Sequence, residues 1–138
     1  MRLWRLSIVA LLVVLAAGCA TTNNDLLGQK ASGLAQSYPV PPDRAWQIAH
    51  AVLEETKAVG VEEHQPDGYV IADTPPFLWG LPTRIVVWID PEGAGSRVTI
   101  LCRQLRPGPL PRTVTEEEFH QAFARRVTQL AYWEGVSK

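Results

Sequence analysis

The residue types that most often carry catalysis or hold metal ions are scattered along this chain. It has three histidines: His50, His64 and His120. None has a second histidine or a cysteine at the spacing that zinc sites use. Glutamates occur in runs at 54–55, 62–63 and 116–118, but adjacent residues on a helix or strand diverge in direction and do not converge on one substrate atom. We therefore expect no enzyme activity, no metal and no cofactor.

The chain has two cysteines, too few for a disulfide-rich scaffold. Cys102 lies two residues after Ile100 and four after Val98, so the three side chains share one face of the predicted strand. Cys102 is therefore predicted to be a small buried side chain. A reactive thiol needs positively charged surroundings, and Arg103 is expected to point to the opposite face of the strand. Cys19 stands in a different setting, directly after an apolar run.

The first nineteen residues have the pattern of an export signal. Arg2 and Arg5 precede an uncharged run over 6–17, which is shorter than the roughly 20 apolar residues that a membrane-spanning helix needs. Ala16-Ala17-Gly18-Cys19 resembles the lipobox of bacterial lipoproteins, with Ala16 where many lipoboxes have leucine. The alternatives are a plain signal peptide and an uncleaved apolar anchor, in both of which Cys19 is incidental.

The resemblance to lipoproteins implies how the chain is processed. Residues 1–18 are removed as a signal peptide, the thiol of Cys19 carries a diacylglycerol, and the new amino terminus is acylated, palmitate being one such chain. Several acyl chains together anchor a protein firmly in a lipid bilayer. Ala20, rather than an aspartate, follows the cysteine, which implies sorting to the outer membrane of the bacterial cell envelope, facing the periplasm.

Length and charge limit the remaining classes. A chain of 138 residues with 46% hydrophobic and 20% charged residues is predicted to form one compact domain with tails. Loss of Arg2 and Arg5 from the 13 basic residues leaves 11 against 14 acidic residues, a net charge of −3. The chain therefore has no basic footprint for nucleic acid and no polybasic tail for anionic lipid.

Two regions are predicted after the cysteine. Residues 19–32 comprise the lipidated cysteine and a polar segment without periodicity, which we expect to be a flexible tether. Residues 33–138 are expected to form the globular domain. Its predicted elements are strands at 34–40, 61–65, 69–74, 83–90 and 96–106 and helices at 43–58 and 115–133.

Local signals set the ends of these elements. Asp43 is predicted to be the N-cap of the first helix and Gly60 its left-handed C-terminal residue. Thr115 and Glu118 form a capping box at the start of the last helix. The order β-α-β-β-β-β-α predicts an α+β two-layer sandwich, with a mostly antiparallel sheet and both helices on one face.

Two segments stand out as possible interaction surfaces. Pro75–Pro82 holds Phe77, Leu78, Trp79 and Leu81 between prolines, and is either a lid over the core or an apolar contact patch. On the outer face of the sheet, Arg84, Arg97 and Arg103 with Trp88 between them form either a basic-aromatic stripe or an exposed face whose arginine stems cover the tryptophan.

Over residues 36–133 the domain resembles a recurrent type of small bacterial lipoprotein domain. The resemblance rests on a proline-ended strand, a helix carrying tryptophan (Pro42-Asp43-Arg44-Ala45-Trp46), Gly60, and the hairpin Asp67-Gly68-Tyr69-Val70-Ile71. It is similar to domains of the lipoprotein C subunit of the β-barrel assembly machinery and to uncharacterised lipoprotein families. That likeness implies a domain that works by binding, and it implies no catalytic residues.

We therefore expect a membrane-anchored envelope lipoprotein that acts as a non-catalytic protein-binding or accessory module. Its partners are expected to be the lipid bilayer, through acylated Cys19, and an envelope protein. The first alternative is a carrier of a small ligand or lipid, with a pocket between the sheet and the helices. A hydrolase is the least favoured alternative.

Overall fold

The computed structural model describes residues 22–75, 80–106 and 108–136. They form a five-stranded antiparallel sheet in the order β1-β5-β4-β3-β2, with two long helices on one face, which confirms the predicted α+β class. Among these residues no helix has the length and apolar composition needed to cross a bilayer. The elements are α1 (Thr22–Leu27), β1 (Leu34–Tyr38), α2 (Pro42–Glu55), β2 (Val59–His64), β3 (Tyr69–Asp73), β4 (Thr83–Glu92), β5 (Gly95–Gln104) and α3 (Glu116–Val136).

Strict alternation along β4 and β5 gives the sheet two apolar faces. The two strands pair over their full length, with Val87 opposite Ile100 and Val86 opposite Leu101. The inner face packs against α2 and α3 and forms the main core, in which Cys102 is fully buried as predicted. The largest fully buried inner residues include Phe119, Phe123, Leu53, Ile85, Ile100, Val52, Val70, Val87 and Val98.

The outer face of the sheet has a second apolar cluster, which α1 helps to cover. Ile71, Val86, Trp88 and Leu101 are buried there, and the partly buried residues packed against them are Leu26, Leu27 and Tyr69. The expectation of a structureless tether is therefore wrong from Thr22 onward: α1 and a 3-10 turn at Lys30–Ser32 lie on the sheet. The physical reason is the pair of leucines, which gain burial on an apolar face that would otherwise meet water.

The ends of α2 differ from their predicted positions. Pro42 occupies the first helical position, where its missing N–H is not needed, and Pro41 precedes it as the N-cap; Asp43 lies in the first turn. At the other end, Lys57 adopts a left-handed φ of 60°. Gly60 also has a φ of 60°, but it lies inside β2, where the register with β3 shifts between Val59 and Glu62. The predicted caps at Asp43 and Gly60 are therefore wrong.

The predicted capping box at the start of α3 is confirmed. The Thr115 hydroxyl accepts a hydrogen bond from the Glu118 amide at 3.3 Å, and the Glu118 carboxylate accepts one from the Thr115 amide at 2.9 Å. Both bonds satisfy amides that the helix itself leaves unpaired.

The strand directions give the sandwich two distinct ends. At the "loop end", β3 and β5 finish, β4 begins, α2 finishes and α3 begins, so the described residues 74–75, 80–83, 104–106 and 108–115 belong to it. The "hairpin end" carries the β4–β5 turn, the 3-10 turn at 65–67, the start of α2 and the last turn of α3. The loop end and the hairpin end are therefore the two surfaces of the sandwich that lie across the ends of its strands.

Candidate interaction surface

The predicted interaction residues divide into two groups. Cys19, Phe77, Leu78 and Trp79 lie outside the described residues. Leu81, Arg84 and Trp88 are described, and they do not form one surface: Leu81 and Arg84 are at the loop end, whereas Trp88 lies farther along β4 in the outer-face cluster.

Leu81 is half-buried and held by backbone bonds between two segments of the loop end. Its amide donates to the Pro111 carbonyl at 3.0 Å, and its carbonyl accepts from the Thr113 hydroxyl at 2.5 Å. The Leu105 amide likewise donates to the Pro82 carbonyl at 2.9 Å. Segments 80–83 and 105–113 are therefore tied together by hydrogen bonds.

Arg84 forms a bidentate ion pair within the sheet. Its Nε and Nη2 donate to the two carboxylate oxygens of Asp73 at 2.7 and 2.9 Å. The two residues face each other in the β3–β4 register, and the hydrogen bond that Arg84 donates to Asp73 is the main cause of a raised pKa of Arg84. The side chains are only 21% and 29% exposed, so Arg84 serves the fold as a cross-strand pair.

Trp88 is only 5% exposed and belongs to the outer-face cluster. Tyr69 lies directly opposite it in the β3–β4 register. An exposed basic-aromatic stripe is therefore not formed at Trp88. Trp88 is covered, as the second interpretation of this face predicted. Tyr69 and the leucines of α1 pack against its cluster, whereas that interpretation named arginine stems.

The apolar residues that the loop end does expose were missed by sequence reasoning. Leu105 and Leu110 are 42% and 43% exposed, and both belong to the segment that is bonded to Leu81. The side-chain amide of Gln104 donates to the Leu110 carbonyl at 3.0 Å, which fixes the loop further. The available signal was the alternation of leucines and prolines over 105–111, which mirrors the composition of Pro75–Pro82.

A polar network ties β5 to the start of α3. The Glu116 carboxylate accepts from the Cys102 amide at 3.0 Å and from Arg112 at 3.0 Å. Arg112 also donates to the Cys102 carbonyl at 2.8 Å. Because β1 pairs with β5 only from Ser96 to Ile100, these side chains satisfy backbone groups beyond the end of β1.

The histidines have structural partners within the fold. His120 is 2% exposed: its Nε2 lies 2.8 Å from the Leu34 carbonyl and therefore carries the proton, so Nδ1 accepts from the Tyr38 hydroxyl at 2.7 Å. Burial lowers the pKa of His120 and raises the pKa of Tyr38 to about 12.

His50, on α2, forms a pair with the carboxylate of Glu63 on β2, with its Nε2 at 2.5 Å from Oε1. Within the described ranges, no three His, Cys, Asp or Glu side chains are grouped to hold a metal ion.

The clefts are shallow and lie at the surface. One of about 400 Å³ at the loop end is lined by the end of α2, Gly80 and residues 112–114. Another, of about 270 Å³, lies where Asp25 and Leu26 of α1 meet Arg84, Arg103 and Leu105. Fully buried side chains such as Phe119 and Phe123 fill the layer between the sheet and the helices. A third cleft, of about 740 Å³ and more open, borders Arg103, Pro111 and Arg112, so the clefts lie outside the packed layer between the sheet and the helices.

Comparison of the chain with protein-family models, with curated proteins and with solved structures finds no match.

Proposed function

We propose that this protein is a lipid-anchored protein of the bacterial cell envelope that acts as a non-catalytic protein-binding or accessory module. The observation that carries the proposal is the pattern at the start of the chain. Two basic residues come first, a short apolar run follows, and small residues then precede Cys19. A cysteine in that context is the acceptor for acyl chains in bacterial lipoproteins, and several chains on one residue anchor a domain durably.

The fold supports a binding role in two ways. His120 and Glu116, which sequence reasoning considered for chemistry, are engaged in structural contacts, His120 with the Tyr38 hydroxyl and Glu116 with the Cys102 amide. The interior between sheet and helices is filled by side chains, which favours the binding module over the carrier alternative. Exposed large apolar side chains lie instead at the loop end, in the last turns of α3 and on the edge strand β2.

The experiment is metabolic labelling of cells expressing the full chain with a palmitate analogue, followed by mass spectrometry of the first peptide of the mature protein. We expect the acyl mass on Cys19, a mature chain that begins at that residue, and recovery in the membrane fraction. The matched variants are Cys19→Ala, which should abolish labelling, and Cys102→Ala, which should not. A native product with an unmodified Cys19, recovered in the aqueous fraction, would overturn the proposal.

The binding role needs a separate measurement. Chemical crosslinking of the anchored protein in intact envelopes, followed by quantification, should give one protein partner in stoichiometric amount. Stoichiometric lipid that remains bound to the purified domain after delipidation would instead support the carrier alternative.

A further inference from the structure

We propose that the loop end of the domain rests on the lipid bilayer, with Leu105 and Leu110 at the level of the headgroups, so that the anchored protein has one orientation. The proposal rests on the proposed function, because it takes acylated Cys19 as the anchor. The occupant of this surface is the phospholipid leaflet that holds the acyl chains. Two independent features of the described residues support it.

The first feature is where the chain enters the fold. Asp25 of α1 lines a cleft with Arg84 and Leu105, at the loop end. Farther along the chain, Lys30 forms an ion pair with Asp90 at 2.6 Å, near the other end of β4. The chain thus crosses the outer face from the loop end toward the hairpin end. Cys19 precedes Thr22 by three residues, which span at most about 11 Å, so the anchor is held on the loop-end side.

The second feature is the apolar surface itself. Leu105 and Leu110 are exposed on a loop that is bonded to the backbone beside Leu81. The loop is rich in proline, which has no N–H to leave unpaired, and the Leu105 amide and the Leu110 carbonyl already have partners within the fold. Approach of such a backbone to a region with little water therefore leaves few polar groups without hydrogen bonds.

Charge does not distinguish the two ends. At the loop end, acidic side chains outnumber basic ones, the residues being Asp25, Glu54, Glu55, Asp73, Glu116, Glu117 and Glu118 against Lys57, Arg84, Arg103, Arg106 and Arg112. Acidic side chains also outnumber basic ones at the hairpin end, where the residues are Asp43, Asp67, Asp90, Glu92 and Glu134 against Lys30, Arg44 and Arg97. The proposal therefore rests on the position of the anchor and on the apolar surface.

The hairpin end offers a rival apolar surface. Tyr132 and Val136, in the last turns of α3, are 66% and 61% exposed. They lie at the opposite end of the sandwich from Asp25 of α1, so an anchor on the loop-end side turns them away from the membrane. The two ends therefore make opposite predictions for one measurement.

The experiment uses the full-length acylated protein in vesicles of phosphatidylethanolamine and phosphatidylglycerol. Single cysteines are introduced by Leu110→Cys at the loop end, Ala94→Cys in the exposed β4–β5 turn and Tyr132→Cys on α3, and each is labelled with an environment-sensitive fluorophore. Cys102 is buried and Cys19 is acylated, so the introduced thiol takes the label. We expect quenching of the label at 110 by a lipid-borne quencher and an emission shift to shorter wavelength. Labels at 94 and 132 should be quenched by aqueous iodide instead.

The outcomes separate this inference from the proposed function. If the protein floats with the vesicles but the label at 110 is as accessible to iodide as the label at 94, the inference fails and the anchor stands. If the protein does not float with vesicles, both fail. Lipid quenching at 132, or shielding at 110 only in native envelopes, would also overturn the inference, the latter in favour of a protein partner.

Discussion

At the scale of single residues, burial of Cys102 determines how fast its thiol reacts, and that rate can be measured directly. Its side chain is fully buried, and burial, with a smaller contribution from the Glu116 carboxylate, raises the pKa of the thiol to about 12. Because the thiolate is the reactive form, we expect Cys102 in the folded protein not to react with a disulfide reagent at mildly alkaline pH. Unfolding in guanidinium chloride should release the thiol at once.

The reaction of Cys19 is subtracted from this measurement by comparing two proteins. The full chain and its Cys102→Ala variant share Cys19, so the difference between their reaction curves reports Cys102 alone. A difference that develops as fast in the folded protein as in denaturant would show that the thiol is accessible.

His120 gives the fold a pH dependence whose direction follows from its burial. Burial of the ring lowers the pKa of His120 below its ordinary value of 6.5. Between the lowered value and 6.5, the unfolded chain binds a proton that the folded chain does not, so stability falls as the pH falls below about 6.5. We therefore expect the unfolding midpoint in urea to decrease from neutral to mildly acidic pH.

Substitution of the ring tests the assignment. His120→Gln should remove this contribution to the pH slope and cost about 1–3 kcal/mol at neutral pH, because the Tyr38 hydroxyl loses its nearest acceptor and the Leu34 carbonyl loses the bond from Nε2. His64→Gln, at a half-buried ring on β2, should retain the slope of the parent. Equal slopes in His120→Gln and the parent would assign the pH dependence to other groups.

At the scale of elements, the network at Glu116 joins the last strand to the last helix. Glu116→Ala removes the acceptor of the Cys102 amide and leaves Arg112 without its carboxylate, so we expect a loss of about 1–3 kcal/mol in the free energy of unfolding. Glu117→Ala is the matched control: it is exposed in the same turn of α3 and should cost only a few tenths of a kcal/mol through the helix dipole. Urea unfolding measures both, and equal losses would contradict a specific role for Glu116.

The same elements show what could be predicted from sequence. Alternation along β4 and β5 identified both faces of the sheet, because side chains on a strand must alternate, and the capping box placed the start of α3. Gly60 was misassigned because a left-handed glycine serves a bulge as well as a helix end. The bonds from Cys102 to Glu116 and Arg112 could not be predicted, since they join a backbone amide and carbonyl to side chains whose positions depend on the completed fold.

At the scale of the whole molecule, α1 shortens the segment that separates the domain from the proposed anchor at Cys19. A random coil over 20–32 would hold the domain about 20 Å from the membrane. With α1 and the turn at Lys30–Ser32 on the outer face of the sheet, only the residues before Thr22 remain to separate the domain from Cys19. Leu26 and Leu27, two apolar residues in a polar segment, have no periodicity that would have indicated this contact.

This arrangement predicts slow tryptic cleavage after Lys30 in the native protein. The Lys30 ammonium lies 2.6 Å from the Asp90 carboxylate, and its backbone is held in a 3-10 turn, so a protease must first detach the segment from the sheet. Asp90→Asn together with Leu27→Ser should accelerate the cleavage, whereas Asp67→Asn, at an exposed turn of the hairpin end, should not. A flexible tether would instead be cut rapidly in the parent, with no response to either change.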